Sequence, residues 1–90
     1  TSATAKHRKL FESAWLTMGD FDNGIPYLTE SAWRDFHNNI NAEMKPSTRR
    51  SDFSRAKKAL IDGGYLTEFG GGFLVKDVQA ASVLTLLKNG

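Results

Sequence analysis

The chain of 90 residues has no cysteine, only two histidines and only two prolines. Without cysteine, disulfide bonds, thiolate zinc sites and thiol nucleophiles are excluded. No apolar run approaches the roughly 18 residues that a membrane-spanning helix needs, and the N-terminal segment has no signal-peptide core. We therefore expect a cytoplasmic protein that makes no contact with membranes.

The sequence also lacks a recognisable catalytic or metal-binding motif. His37 has no second histidine near it, so we expect a surface or half-buried side chain in place of a ligand or base. His7 belongs to the basic cluster of Lys6, Arg8 and Lys9. The three glycines at positions 70–72 are not followed by the Lys-Ser/Thr pair of a phosphate-binding loop. We expect no catalytic residue, no cofactor and no metal ion.

The overall composition is that of an ordinary globular domain. Forty percent of the residues are hydrophobic and 24% are charged, and a chain this short has room for one core. We expect residues 1–90 to form a single domain, a module of a larger protein.

Positive charge is concentrated just past the middle of the chain. Residues 45–58 contain six basic residues and one acid, Asp52, so this segment carries +5 although the net charge of the whole chain is only +2. The remainder is therefore slightly acidic. A focused positive charge on such a body favours a polyanionic partner, while a solvated helix face is the alternative interpretation.

Hydrophobic periodicity and turn residues predict a mainly α-helical domain with a small β-hairpin, in the order α-β-α-α-β-β-α. Thr29 is expected to cap the second helix, Ser47 or Ser51 the third, and Asp77 the last. Pro26 lacks a backbone donor, which favours a sheet edge. The predicted elements are helices at 4–18, 29–41, about 47–62 and 78–88, a short strand at 25–28, and a hairpin at 65–76.

Helical spacing also predicts which residues form the core. The stripes are Trp33, Phe36 and Ile40 in the second helix, Phe53, Ala56 and Leu60 in the third, and Val78, Ala81, Leu84 and Leu87 in the last. Ala80, Val83 and Leu86 widen the last stripe beyond one face. This width predicts either deep burial or a partner, which includes a protein partner or a second copy bound through the last helix.

The outer face of the third helix has the chemistry of a nucleic-acid reader. At 100° per residue, Ser51, Ser54, Arg55 and Lys58 lie opposite the apolar stripe. Short hydroxyl side chains allow close approach to a groove, arginine pairs with guanine, and lysine favours phosphates. Residues 47–66 contain no glutamate, unlike an exposed helix held together by ion pairs.

At this point the chain resembles the winged helix-turn-helix superfamily. The run FSRAKKALIDGGYL at positions 53–66 is similar to its recognition helix and to the start of its wing. The preceding Tyr27-Leu28-Thr29 and the basic residues of the first helix look like winged-helix modules of plasmid or phage replication and mobile-element proteins. Two departures stand out: the wing tip at 70–72 has glycines where the family usually has basic residues, and the segment 41–48 exceeds a tight turn.

The resemblance implies a module that reads double-stranded DNA with its third helix, in replication or regulation, associated with the nucleoid. Two alternatives are a protein-interaction module that uses Phe69, Phe73 and the last helix, and a non-specific accessory domain of a helicase or primase. The candidate groove-facing residues are Arg50, Ser51, Ser54, Arg55 and Lys58, and the candidate phosphate contacts are Lys45, Thr48, Arg49, Lys57 and Lys76.

Overall fold

The computed structural model describes the backbone of residues 2–89 and the side chains of residues 5–89. These residues form an α+β domain with four helices and one four-stranded antiparallel sheet. The elements are α1 (Ser2–Met18), β1 (Asp20–Asp22), β2 (Ile25–Thr29), α2 (Glu30–Ile40), α3 (Pro46–Asp62), β3 (Leu66–Phe69), β4 (Gly72–Val75) and α4 (Val78–Asn89).

The sheet has the strand order β1-β2-β4-β3. Leu74 of β4 pairs with Tyr27 of β2 on one side and with Thr67 of β3 on the other. The neighbouring residues Phe73 and Val75 are buried, because side chains alternate between the two faces of a strand. The predicted hairpin is thus confirmed, and β2 joins it as a third strand.

The strand β1 was absent from the sequence-based order, and the edge position predicted for Pro26 is wrong. Asn23 and Gly24 both have positive φ, 52° and 79°, as in the two-residue turns that join antiparallel strands. The Asn-Gly pair therefore closes a hairpin that adds β1 outside β2. Pro26 is tolerated in the inner strand because the pairing of β2 with β4 begins only at Tyr27.

Two of the three predicted helix caps are confirmed. The Thr29 hydroxyl accepts a hydrogen bond from the Ala32 amide at 3.2 Å, and the Asp77 carboxylate accepts one from the Ala80 amide at 3.1 Å. The capping role predicted for Ser47 or Ser51 is wrong, since α3 begins at Pro46 and has no side-chain cap. Proline suits this first position because its missing N–H has no partner there.

Trp33 of α2 is the centre of an aromatic core. Its ring makes edge-to-face contacts with Phe11 of α1, Phe53 of α3 and Phe73 of β4, at centroid distances of 5.0, 5.0 and 5.2 Å. Such pairs contribute about 0.5–1.5 kcal/mol each beyond simple burial. Trp33 therefore fixes α3 against both the first helix and the sheet.

Three residues of these predicted stripes are instead exposed, and so is Met18, which helical spacing placed on the apolar side of the first helix. Ile40 is the last residue of α2 and is 46% exposed. Val78 and Leu87 of α4 are 78% and 57% exposed, because α4 packs through Leu84 with Ala80 and Ala81 beside it. The predicted α3 stripe of Phe53, Ala56 and Leu60 is confirmed as buried.

Candidate nucleic-acid interface

The helix α3 presents its basic residues outward. Its apolar stripe packs into the core, so the opposite side faces solvent. This exposed face carries all of the predicted groove-facing residues, which are Arg50, Ser51, Ser54, Arg55 and Lys58. Their chemistry, three long cations around two hydroxyls, is thus available on one surface.

The charge of this face is largely unneutralised by the rest of the domain. Within residues 5–89, Lys57 is the one cation of α3 that forms a salt bridge, with Glu30 of α2 at 3.4 Å. Arg50, Arg55 and Lys58 are exposed and have no carboxylate partner in the described part of the chain. An exposed cation without a partner inside the protein retains its attraction for an external anion.

Asp52, the acid of the basic segment, is turned away from the outer face. Its carboxylate lies 3.4 Å from Nε2 of His37, outside hydrogen-bond geometry. His37 is only 3% exposed and packs against Phe53, so the surface or half-buried position predicted for it is wrong. Its Nε2 is buried without a hydrogen-bond partner among the described residues, which costs free energy, and the contact with the Phe53 ring and the nearby Asp52 carboxylate offset part of that cost. The carboxylate of Asp52 therefore faces the α2–α3 interface, and the other acid of α3, Asp62, is the last residue of the helix.

The predicted phosphate contacts do not lie together. Lys45 and Thr48 are exposed at the start of α3. Arg49 instead fastens the turn between the two helices, since its Nη1 donates to the carbonyl oxygens of Asn41, Ala42 and Met44 at 3.5, 3.1 and 3.0 Å. Lys76 lines a groove beside α4 and is separate from the clefts that α3 lines.

The backbone carbonyl groups at the tip of the β3–β4 hairpin are hydrogen-bonded to the rest of the domain. The Glu30 amide donates to the Gly71 carbonyl at 3.2 Å, and the Tyr27 hydroxyl donates to the Gly70 carbonyl at 2.9 Å. Residues 66–75 include no basic side chain, and Glu68 lines a cleft with Lys57 and Lys58. This hairpin therefore offers amides and an acid to a partner, with no cation of its own.

Sequence reasoning missed two polar residues on α2. Arg34 and Asn38 line a cleft together with Arg50, Ser54 and Lys57 of α3. Their positions, i and i+4 on the exposed side of α2, place them on one face of that helix. This spacing was readable in the sequence, but the packing of α2 against α3 was needed to place them beside the basic helix.

A second exposed surface, along α4, is largely apolar. Residues 78–87 of α4 contain no charged side chain, and Val83 and Leu86 are 53% and 72% exposed, in addition to Val78 and Leu87. Beside them, α4 and the outer sheet face enclose an open groove of about 700 Å³ that Ile25 and Leu74 line. Such a surface is unusual for a helix that faces only water.

A polar cluster around Tyr65 has a structural role. The Tyr65 hydroxyl donates to the Glu12 carboxylate at 3.2 Å, and the Arg8 guanidinium lies 4.7 Å from the centre of the Tyr65 ring. Burial raises the pKa of the Tyr65 hydroxyl well above its ordinary value, and the neighbouring Glu12 carboxylate adds to the rise. Tyr65, the residue before β3, therefore remains a neutral hydrogen-bond donor that links this end of the strand to α1.

Comparisons with protein-family models, curated proteins and solved structures found no match to this chain. In residues 2–89, no helix has the length and apolar character to cross a bilayer. The same residues contain no group of three or more His, Asp or Glu side chains arranged to hold a metal ion.

Proposed function

We propose that this chain is a winged-helix domain that binds duplex DNA, with α3 in the major groove and the β3–β4 hairpin as a wing near the backbone. Two features of the fold support this proposal. The helices α2 and α3 pack against each other through Trp33 and Phe53, and β2 extends the hairpin that follows α3.

The observation that carries the proposal is the outward face of α3. Arg50, Arg55 and Lys58 project to solvent without an internal carboxylate in the described residues, and Asp52 faces α2. An α-helix with its side chains is about 10–12 Å in diameter, which fits the roughly 12 Å width of the B-DNA major groove. The face thus combines the size, charge and hydrogen-bonding groups that groove reading requires.

The assignment of roles within this face follows from reach and chemistry. Arg55 lies at its middle and is the candidate for a bidentate contact with guanine. Ser51 and Ser54 allow the helix to approach the base edges, while Lys45 and Thr48 stand at the N-terminal end, where phosphates lie along the rim. Arg49, which is engaged by three carbonyl oxygens, acts in this proposal by holding the turn.

The test is a titration of labelled duplex DNA at two salt concentrations with a scrambled-sequence competitor. We expect affinity to fall as salt rises, because bound phosphates release counterions, and chemical shifts to move within residues 47–58. Binding that is insensitive to salt would contradict the proposal. Equal affinity for scrambled sequences would favour the non-specific accessory domain of a helicase or primase.

A second candidate function is self-association through α4, favoured by its uncharged apolar face. Two copies can approach along residues 78–87 without repulsion between like charges, and a two-fold axis would pair Leu86 with the same surface of its partner.

The protein-binding surface predicted from Phe69, Phe73 and the last helix is only partly available. Phe73 is 2% exposed and cannot contact a partner, whereas Phe69 is 51% exposed.

Sedimentation equilibrium over a wide concentration range tests this association. We expect Leu86→Glu to keep the domain folded but monomeric, because Leu86 is largely exposed and two buried glutamates would repel each other. Ser13→Glu, at an exposed position on α1, adds the same charge outside the face and is the comparison that should leave association unchanged. A wild-type domain that stays monomeric at millimolar concentration would rule out self-association.

A further inference from the structure

The packing of α2 against α3 leaves a cleft of about 450 Å³ at the protein surface. Its walls carry Arg34 and Asn38 from α2, and Arg50, Ser54 and Lys57 from α3. Among the described residues that line this cleft, none is acidic. Arg49 of α3 also lines the cleft, so four cations, an amide and a hydroxyl from two different helices converge on one small volume.

Two of these cations, Arg34 and Lys57, already hold a carboxylate, that of Glu30, which lines the two neighbouring clefts. One carboxylate oxygen of Glu30 lies 2.6 Å from Nη2 of Arg34, and the other lies 3.4 Å from Nζ of Lys57. A single carboxylate thus bridges side chains from α2 and α3. The arrangement demonstrates that both cations can reach the two oxygens of one anion, which is also what a phosphate group presents.

The bridge between Glu30 and the two cations is partly exposed to solvent. The side chains of Arg34, Lys57 and Glu30 are 50%, 28% and 35% exposed, so water weakens both ion pairs. A phosphate offers more acceptor oxygens than the carboxylate, and Asn38 and Ser54 are placed in the cleft to donate to them. A phosphate in the cleft and the Glu30 carboxylate would therefore compete for the same two cations.

We propose that this cleft binds a phosphate group of a nucleic-acid backbone, and that Glu30 is the internal anion which the phosphate displaces. The inference rests on the proposed function, because α3 lining the cleft also carries the groove-facing residues. It adds α2 to the interface through Arg34. It also makes Glu30 a negative determinant of affinity, since every bound phosphate must compete with a carboxylate of the same chain.

The experiment measures duplex affinity across a range of salt concentrations for the wild type, Glu30→Gln, Arg34→Ala and Lys57→Gln. We expect Glu30→Gln to tighten binding about 2- to 10-fold, because it removes a competitor held by two surface ion pairs. Arg34→Ala is expected to weaken all sequences alike and to lower the salt slope by about one. Lys9→Ala removes one exposed charge from α1 and is the matched control.

The thermal midpoint of each variant shows whether it is folded, and Lys57→Gln provides a second removal of charge if Arg34→Ala does not fold. An Arg34→Ala variant that binds like Lys9→Ala, together with an unchanged Glu30→Gln, would overturn the cleft assignment. If Arg55→Ala still weakens binding in that case, DNA binding through α3 stands. If none of these substitutions alters binding, the proposed function itself fails.

Titration with inorganic phosphate separates the two sources of the ligand. The probe is the set of side-chain chemical shifts of Arg34 and Lys57, followed with inorganic phosphate alone and with duplex DNA. Shifts that appear with the duplex at micromolar concentration support a backbone phosphate. Shifts that appear only with inorganic phosphate, with duplex affinity unaffected by Arg34→Ala, would refute the backbone assignment.

Discussion

Replacement of Arg55 by alanine is expected to test DNA binding by α3 with little effect on folding. Arg55 is exposed and forms no salt bridge within residues 5–89, so its removal leaves no buried group unpaired. We expect a change in the free energy of unfolding within about 0.5 kcal/mol. A bidentate arginine contact to guanine contributes about 1–3 kcal/mol, which corresponds to a roughly 5- to 150-fold loss of affinity.

The assay compares the dissociation constants of wild type, Arg55→Ala and Arg55→Lys for a preferred duplex and for a scrambled one. Lysine keeps the charge but lacks the planar fork of arginine. If Arg55 reads a base, Arg55→Lys retains affinity for scrambled DNA and loses the preference for the selected sequence. If Arg55 only contacts phosphate, Arg55→Lys binds like the wild type.

The control for general electrostatics is Lys9→Ala, since Lys9 is exposed on α1 and also carries one positive charge. A uniform effect of net charge would weaken both variants equally. The proposal that α3 reads DNA is therefore refuted if Arg55→Ala and Lys9→Ala bind duplex DNA with the same affinity.

Three further predictions concern stability, measured by urea unfolding. Leu60→Ala should cost about 2–5 kcal/mol, because Leu60 is fully buried; a loss below 1 kcal/mol would contradict its place in the core. Gly19→Ala should cost more than Gly63→Ala, since a Cβ at Gly19 would overlap the Trp15 ring and carbonyl, whereas at Gly63 it meets only the Ala59 carbonyl at 3.1 Å. The raised pKa of Tyr65 means that the native state keeps its proton when the unfolded chain ionises near pH 10. Stability from this residue is therefore complete below about pH 10 and declines above it. Tyr65→Phe should lose less stability between pH 9 and pH 11 than the wild type, and an equal loss would contradict this account.

Local patterns in the sequence were sufficient for the helices and for the face of α3. The spacing of Phe53, Ala56 and Leu60 predicts its buried side, and the residues opposite them are exposed as expected. Thr29 and Asp77 also cap their helices as predicted. These features depend on residues within one or two turns, where helix geometry alone decides the direction of a side chain.

Features set by distant neighbours were not readable in the same way. His37 is buried because α3 packs over it, with Asp52 and Phe53 of that helix next to its imidazole. Arg49 was expected to contact a phosphate, but its guanidinium donates instead to backbone carbonyl oxygens of the turn that follows α2. The pairing of Glu30 with Lys57 joins residues 27 positions apart. Such contacts depend on how helices pack, which periodicity does not specify.

The tip of the β3–β4 hairpin limits how this domain can change its partner. Gly70 and Gly71 have φ angles of 52° and 80°, a conformation that other residues adopt only at a cost of about 1–2 kcal/mol. An arginine grafted there would strain the turn. If the hairpin is the wing that we propose, new minor-groove contacts are therefore more readily engineered at Thr67 or Phe69, whose side chains are already exposed. Variation in target preference is therefore expected to accumulate on the helix, while the glycine turn stays as it is.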